Sequence, residues 1–371
     1  MDHLNTSNLP NNQSDFDRVS TLKVLLPPLY LLTWLVGGAL NGVAACIFFR
    51  VPSDSGLVVY LKNMVVADLL MLTSFPFKAA ADLGVGGWRM HVVTCRYTGV
   101  LFYSCMYVGI VFMGFISLER YMKIVRHNSS NTSTCWSRWC SVSRLHLLQS
   151  PGFARALALL TWMSLLLSVL PNVLLTSNPA NETNAHQCMQ LKTPFGLQWH
   201  KYSTYFNIGL FWLALCLLSF CYTSIACRLY SSYRLIRRGQ SNACRKSKRS
   251  IFSILVVFFV CFVPYHVLRV PYTLSQGKGS GFINDDRFLL FQLKEATLFL
   301  SAFNVCLDPV IYFLMCRTFR ESLLRKLSGR RGRGRGRGRS RRGSLTTGQS
   351  FTNLGGGEEV RERGKDTRIG D

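Results

Sequence analysis

Seven stretches of this chain are each long and apolar enough to cross a lipid bilayer. A helical crossing takes about 20 mostly apolar residues. Such runs lie at roughly 24–49, 57–80, 92–118, 153–176, 204–230, 250–274 and 288–316. Within hydrocarbon every backbone polar group must be satisfied inside the protein, and runs of this length do so as helices. Composition agrees, because 49% of the 371 residues are apolar and 16% are charged, against about 25% charged in an ordinary soluble protein. Yet 43 Lys+Arg against 18 Asp+Glu leave a formal net charge of +25. Apolar spans joined by basic loops reconcile these two properties, and they exclude a plain cytosolic globule and a wholly disordered chain. Pro76, Pro171, Pro264 and Pro309 fall inside runs. Proline breaks a helix in water, but a membrane bundle lets neighbouring helices satisfy the backbone groups it frees.

Loop charge sets the orientation. Residues 228–250 carry Arg228, Arg234, Arg237, Arg238, Arg245, Lys246, Lys248 and Arg249 with no acid. The segment 120–152 and the residues just after Cys316 are also basic, whereas the alternate loops mix acids with bases. The positive-inside rule then places the N-terminus outside and the C-terminus in the cytosol, as an odd number of spans requires. The sequons at Asn5, Asn12 and Asn181 fall on the outside and are expected to be glycosylated. Those at Asn128 and Asn131 fall inside and are expected to stay bare. The N-terminus lacks the basic, apolar and small-residue order of a signal peptide.

The expected organisation is an all-α membrane protein, a seven-transmembrane helix bundle in the plasma membrane. An outer N-terminus covers residues 1–23 and the bundle residues 24–316. A short cytosolic amphipathic helix covers 317–327, and a disordered basic tail covers 328–371. In that tail glycine alternates with arginine from Arg330 to Arg342, which charge repulsion and backbone freedom keep from packing. No long-period repeat and no matched pair of interrupted helices suggests a transporter. Neither metal-ligand spacing nor a phosphate-binding glycine loop points to an enzyme.

Several residues stand out in this apolar setting. Glu119-Arg120-Tyr121 closes the third run. Its arginine either snorkels to the interface or exchanges partners between two states. Asp68 lies in the second run, and Asp308-Pro309-Val-Ile-Tyr312 near the inner end of the seventh. Two carboxylates at that depth must pair, protonate or hold a cation. Asn41, Asn63 and Asn304 could supply neutral oxygens, so an allosteric Na⁺ near Asp68, Asn304 and Asp308 stands beside protonated carboxyls as a reading. Cys95 and Cys188 both face the oxidising side, where a bridge can persist.

Taken in order, these features resemble the rhodopsin-like (class A) G-protein-coupled receptors over roughly residues 24–327. The carriers are Leu-Asn41-Gly, Ala67-Asp68-Leu-Leu, Trp88, the Cys95/Cys188 pair and Glu119-Arg120-Tyr121. Trp162, Cys261-Phe-Val-Pro264-Tyr and Asp308-Pro-Val-Ile-Tyr312 complete them. The resemblance implies a Cys95–Cys188 disulfide. It also implies an activation switch built from Glu119, Arg120, Tyr121, Pro264, Asp308, Pro309 and Tyr312. Expected partners are a heterotrimeric G protein, an arrestin and a receptor kinase.

A closer likeness is to the purinergic receptors, in the branch that signals through inhibitory G proteins and includes ADP receptors, a UDP-sugar receptor and an orphan sibling. It rests on Ser74-Phe-Pro-Phe-Lys78, Cys95-Arg-Tyr-Thr, Phe102-Tyr103-Ser-Cys-Met106-Tyr107 and Phe195-Gly-Leu-Gln-Trp199-His200. Val263-Pro-Tyr-His266-Val-Leu-Arg269-Val-Pro-Tyr272-Thr and Lys294-Glu295-Ala-Thr-Leu add to it. The resemblance implies that nucleotide phosphates meet Arg269 and Lys294 while the base stacks on Tyr103. Met106, Tyr107, Asn172, Lys192, His200, His266 and Tyr272 would line the same cup.

The chain departs from that family in three places. Neither the segment before Cys46 nor the loop 276–290 has a cysteine, so the usual second outer bridge is missing at both ends. The stretch between Arg120 and Trp162 is longer than usual, with His127 in place of a proline. This loop touches the G protein in the family, so the change bears on coupling. The Arg-Gly tail is foreign to the family as well.

Elementary chemistry supports an anionic ligand beside the resemblance. Arginine and lysine in an apolar cup are costly until an anion arrives, and arginine presents a planar fork for phosphate. The competing reading pairs Lys294 with Glu295 and Arg269 with a backbone carbonyl. A lysophospholipid or orphan receptor of the same fold is the alternative function, and a channel or transporter a remoter one. The tail resembles RNA-binding arginine-glycine segments, but a polybasic stretch beside a membrane meets anionic lipid first. Contact with inner-leaflet lipid is therefore expected over nucleic acid.

Overall fold

The computed structural model describes residues 13–50, 52–129, 149–185, 188–235, 242–275 and 284–335. The sequons at Asn5 and Asn12, the loop 130–148, the loop 276–283 and the Arg-Gly tail beyond Arg335 lie outside the described residues. Seven helical stretches are long and apolar enough to span a membrane, at Val24–Phe48, Gly56–Asp82, Gly87–Lys123, Pro151–Leu174, Pro194–Cys227, Phe252–Ser275 and Asp286–Met315. The third and the fifth begin well before the starts that hydropathy placed for them. The third takes in the amphipathic Gly87–Val93 segment, and the fifth starts ten residues sooner at Pro194. Polar outer turns are invisible to an apolar window, which reads only the part that meets lipid.

Span one packs on spans two and seven, span two on three and four, and span three on four and five. Spans two, three and seven are the most enclosed, whereas span four buries almost none of its surface inside the bundle. Its leucines at 159, 160, 166, 167, 170 and 174 are exposed, as a helix facing acyl chains should be. Among the contacts that tie it in, the Trp162 indole N–H donates to Asn63 Oδ1 at 2.9 Å and the Trp199 indole N–H donates to the Ser168 carbonyl at 3.5 Å.

Carbonyls are left open near the prolines of spans six and seven, and each accepts from a side chain of another helix. Span six is split at Phe262, just before Pro264, and the freed Cys261 carbonyl accepts from Ser301 Oγ of span seven at 2.7 Å. Pro309 has no N–H to give the carbonyl four residues back. That carbonyl, on Val305, instead accepts from Asn41 Nδ2 of span one at 2.7 Å. Gly37 makes the approach feasible, because a Cβ there would come within 2.9 Å of the Val305 side chain.

Thr94–Thr98 form a single π-turn near the outer end of span three. Cys95 sits inside it and is bonded to Cys188, with their Cα atoms 5.2 Å apart. Gly99 accommodates the widened turn, since a Cβ would meet the Thr94 carbonyl at 2.8 Å. After Cys316, whose backbone is extended, the chain continues as a separate helix, Arg317–Arg335. It is longer than the 317–327 expected. Phe319 anchors its start by stacking on Phe48, with ring centroids 5.0 Å apart.

Candidate functional site

The outer third of the bundle holds a cup of cations and tyrosines. Arg269 stands one turn outward of Tyr265 on span six and donates to its hydroxyl. Its guanidinium lies 5.3 Å over the Tyr103 ring and 5.5 Å over the Tyr265 ring. Its Nε is buried without a hydrogen-bond partner, and among the described residues no carboxylate comes within ion-pair distance of it. Two aromatic faces and one hydroxyl thus hold a cation whose charge is not neutralised.

Lys294 is placed differently. Its Nζ is 2.6 Å from Glu295 Oε1 and 4.8 Å from the Tyr272 and Phe291 ring centroids. The other oxygen of Glu295 is 3.2 Å from Lys78 Nζ of span two, which also bonds Asp82 at 2.9 Å. Asp82, Lys78, Glu295 and Lys294 form a chain of alternating charge that sums to zero. The lysine pairs with its neighbouring acid, and Arg269 with a tyrosine hydroxyl rather than a carbonyl. The expected picture of two bare cations facing each other is corrected to one bare arginine beside a neutral network. Above Lys78 lies the Tyr30 ring at 5.8 Å, whose buried hydroxyl has no partner.

The remaining cup residues divide. His266 is fully enclosed: Nδ1 donates to the Phe262 carbonyl at 2.8 Å and Nε2 accepts from the Tyr107 hydroxyl at 3.1 Å. Its ring stacks on Phe211 at 3.7 Å, so it braces spans three, five and six and presents no free nitrogen. Met106 is buried in the core beside it. Asn172 donates back to the Ser168 carbonyl of its own helix. Lys192 is buried in the outer loop and donates to Thr176 Oγ1 at 3.0 Å. Burial lowers its pKa below the usual lysine value. His200 is half-buried near the start of span five. The Cys95–Cys188 bridge and the bond from Arg96 to the Asn178 carbonyl, 2.6 Å, strap the loop across the mouth. Asn181 is exposed on that loop.

Lys78, Asp82, Glu295, Tyr265 and Tyr30 were not singled out as site residues from the sequence. The spacing of Lys78 and Asp82 by four on one helix was an available signal. No local signal could reveal that Glu295 bridges two lysines from different spans.

A second polar cluster lies toward the cytosol. Tyr312 donates to Asp68 Oδ2 at 2.6 Å, and Asn304 donates to Asp308 Oδ2 at 2.9 Å. Among the described residues the oxygens Asn41 Oδ1 and Asn304 Oδ1 are buried with no donor, and the carboxyls of Asp68 and Asp308 lie in hydrogen-bonding reach of each other. Buried acceptor oxygens facing no donor suit a small hard cation, so the residues present fit Na⁺ in donor type. Nearer the cytosol, Arg120 Nη2 donates to the Met315 carbonyl at 3.3 Å. That carbonyl ends span seven, where the break at Cys316 leaves it outside the helical ladder. Glu119 is 3.4 Å from Arg120 Nε, and the Tyr121 ring packs on Phe220. The arginine therefore joins span three to span seven.

Seven spans, an outer disulfide-strapped cup and an inner arginine tether define a membrane receptor. Residues 41–312 match the family model of the 7 transmembrane receptor (rhodopsin family), and the chain belongs to that family. Within it the chain belongs with the purinergic receptors. It is 43% identical to purinoceptor 14 of Bos taurus over 82% of this chain and 86% of that one. It is 36% identical to purinoceptor 13 of Homo sapiens over 81% of each. A relative with no ligand in its name, G-protein coupled receptor 87 of Mus musculus, is 41% identical over 82% of this chain and 80% of that one. The chain is thus a multi-pass receptor of the plasma membrane with its cup on the outer face.

Proposed function

We propose that this receptor binds an extracellular nucleotide, ADP-like or a UDP-sugar, and activates a heterotrimeric G protein of the inhibitory type. It acts as a receptor and not as an enzyme. The observation that carries the reading is Arg269, held between Tyr103 and Tyr265 with no carboxylate at ion-pair distance among the described residues. A phosphate would neutralise it through charge-assisted bonds, and the adjoining tyrosine faces suit a base. The neutral network of Lys78, Asp82, Glu295 and Lys294 offers donors and acceptors but no net charge. Such a set accepts a hydroxyl-rich group more readily than a second dianion, which favours a nucleotide-sugar over a free diphosphate.

Agonist would draw the outer ends of spans six and seven together, turning span six about the break at Phe262 and Pro264. Release of Arg120 from the Met315 carbonyl would then open the cytosolic cleft to a G-protein helix. Na⁺ held near Asp68, Asn304 and Asp308 would oppose that rearrangement. A receptor kinase and an arrestin would act on Ser340, Ser344, Thr346, Thr347, Ser350 and Thr352, whose phosphates would lift the Arg-Gly tail from anionic lipid.

The test is a panel of ADP, UDP, UDP-glucose and lysophosphatidylserine on cells expressing the chain, read as inhibition of cyclic AMP. UDP-glucose should be the most potent. A response to lysophosphatidylserine alone would replace the nucleotide by a lipid phosphate.

A further inference from the structure

On the outer face, two loops meet at a cavity that belongs neither to the cup nor to the inner cluster. Its volume is about 430 Å³, and Gly84, Gly87, Trp88, His91 and Glu182 line it. Sites that hold a small molecule run from roughly 300 to 1,000 Å³. The first four residues come from the link between spans two and three and the outer turns of span three. Glu182 comes from the loop between spans four and five. Gly84 and Gly87 have φ of 74° and 60°, and a Cβ on either would meet no atom, so bare backbone forms that wall. Arg89 lies 5.6 Å over the Trp88 ring and steadies the indole. Glu182 is also the middle residue of the sequon Asn181-Glu182-Thr183, and the turn around it is firmly built. Asn181 Oδ1 accepts from Thr183 Oγ1 at 2.7 Å and from the Asn184 N–H at 3.0 Å, while Asn184 Oδ1 accepts from the Asn181 N–H at 2.9 Å. Ala185, wholly buried, closes the turn by donating to the Asn181 carbonyl at 3.0 Å. Asn178 then ties the two arms of the loop through the carbonyls of Gln190 and Lys192. Asn181 itself is exposed, and its Nδ2, the atom that carries an N-linked sugar, takes no part in the turn.

We propose that the first N-acetylglucosamine on Asn181 seats in this cavity and clasps the two outer loops together. Glycosylation forms a bond from Asn181 Nδ2 to the anomeric carbon of the sugar, breaks that carbon's bond to the diphosphate of a polyprenyl-linked donor and releases one Nδ2 proton. The sugar then starts from a side chain that the turn already holds, beside a residue of the cavity wall. Little freedom is lost on seating it, which is the benefit of a pre-organised attachment. A pyranose presents a face of C–H groups that suits the Trp88 indole. Its hydroxyls and acetamide suit the His91 ring and the Glu182 carboxylate, the few polar groups such a site needs. The loop is then held at two places, by the disulfide at Cys188 and by the sugar at Asn181. The proposal rests on the outward-facing sequon and is independent of which ligand the cup takes.

The experiment uses the full chain from glycosylating cells, held in nanodiscs, and follows backbone hydrogen exchange by mass spectrometry. In Asn181→Gln the amides of residues 83–93 should exchange about tenfold faster than in wild type, while those of the inner half of span two stay as they were. Trimming the wild-type glycan with an endoglycosidase that leaves one N-acetylglucosamine should keep the slow exchange. Trp88→Ala should speed exchange about as much as Asn181→Gln, and adding it to Asn181→Gln should change little more, since both remove one contact. A tryptophan that only supported the fold would act equally with and without the sugar. Thr183→Ala removes the sequon and keeps Asn181, so it repeats the measurement if Asn181→Gln disturbs the turn; Thr183→Ser should restore wild-type exchange. Four results would overturn the proposal: a bare Asn181 in the mature protein, unchanged exchange in both sequon variants, an equal effect of Trp88→Ala in both backgrounds, or a loss of protection on trimming as large as on removal. The last would mean that the outer branches shield the loop and no sugar is seated.

Discussion

The outer cup and the inner polar cluster are both ionisable groups buried among helices, yet they are neutralised by different means. In the cup, full charges meet full charges: Lys78 and Lys294 share Glu295, and Asp82 takes the other side of Lys78. Near the cytosol, carboxylates are met by neutral donors, Tyr312 on Asp68 and Asn304 on Asp308. Long flexible ion pairs can exchange one anion for another at little geometric cost. Short side chains locked to neutral donors cannot, and respond instead by changing which helices they join. The first arrangement is suited to setting affinity and the second to transmitting it.

The sharpest break between the regions is expected at Arg120. Arg120→Ala should abolish G-protein activation at matched surface expression while leaving radioligand affinity for agonist within about threefold, a shift under 1 kcal/mol. Full signalling by this variant would remove the arginine from transmission. Next in size is Arg269→Ala, which should weaken agonist potency about ten- to a hundredfold with an unchanged maximal response. Concentration–response curves at matched expression read both quantities, and a lost maximum with normal potency would invert the division of labour.

Glu295→Gln sharpens the comparison within the cup. Removing that carboxylate leaves Lys78 and Lys294 in need of an anion, so the potency of ADP should rise relative to UDP-glucose by about tenfold. An unchanged ratio would mean that the ligand never reaches the lysine pair. Lys78→Gln and Lys294→Gln should couple through Glu295 by about 0.5 kcal/mol or more in a double-mutant cycle of agonist affinity. Strict additivity would argue for two independent contacts. The smallest effect is ionic: replacing Na⁺ by N-methylglucamine should raise agonist affinity about two- to threefold, roughly 0.5 kcal/mol, and Asp308→Asn should erase the shift. A shift that survives in Asp308→Asn would place the ion elsewhere.

Much of this molecule is legible in one dimension because the bilayer imposes a one-dimensional rule. Twenty apolar residues, the loop arginines and the prolines within spans are local signals, and each maps directly onto depth. Early helix starts such as those at Gly87 and Pro194 escaped for the same reason: their first turns are polar, and hydropathy carries no signal there. Individual cup residues were also legible as residue types at the outer ends of spans. Their partners were not, since His266 reads as a ligand-facing imidazole until Phe211, Tyr107 and the Phe262 carbonyl are seen to enclose it.

By itself the sequence determined the number of crossings, their direction and the family, because these follow from local hydropathy, loop charge and short ordered motifs. Tertiary structure alone decided which charges are free. The neighbouring Glu295 marks Lys294 along the chain, but that Glu295 also reaches Lys78 and that two tyrosine faces hold Arg269 are visible only in space. It likewise decided that Asn41 repairs the carbonyl opened by Pro309 and that Arg120 ends on span seven. Pairing energies depend on separation in space across helices far apart in sequence. No periodicity or spacing within a single span encodes that distance.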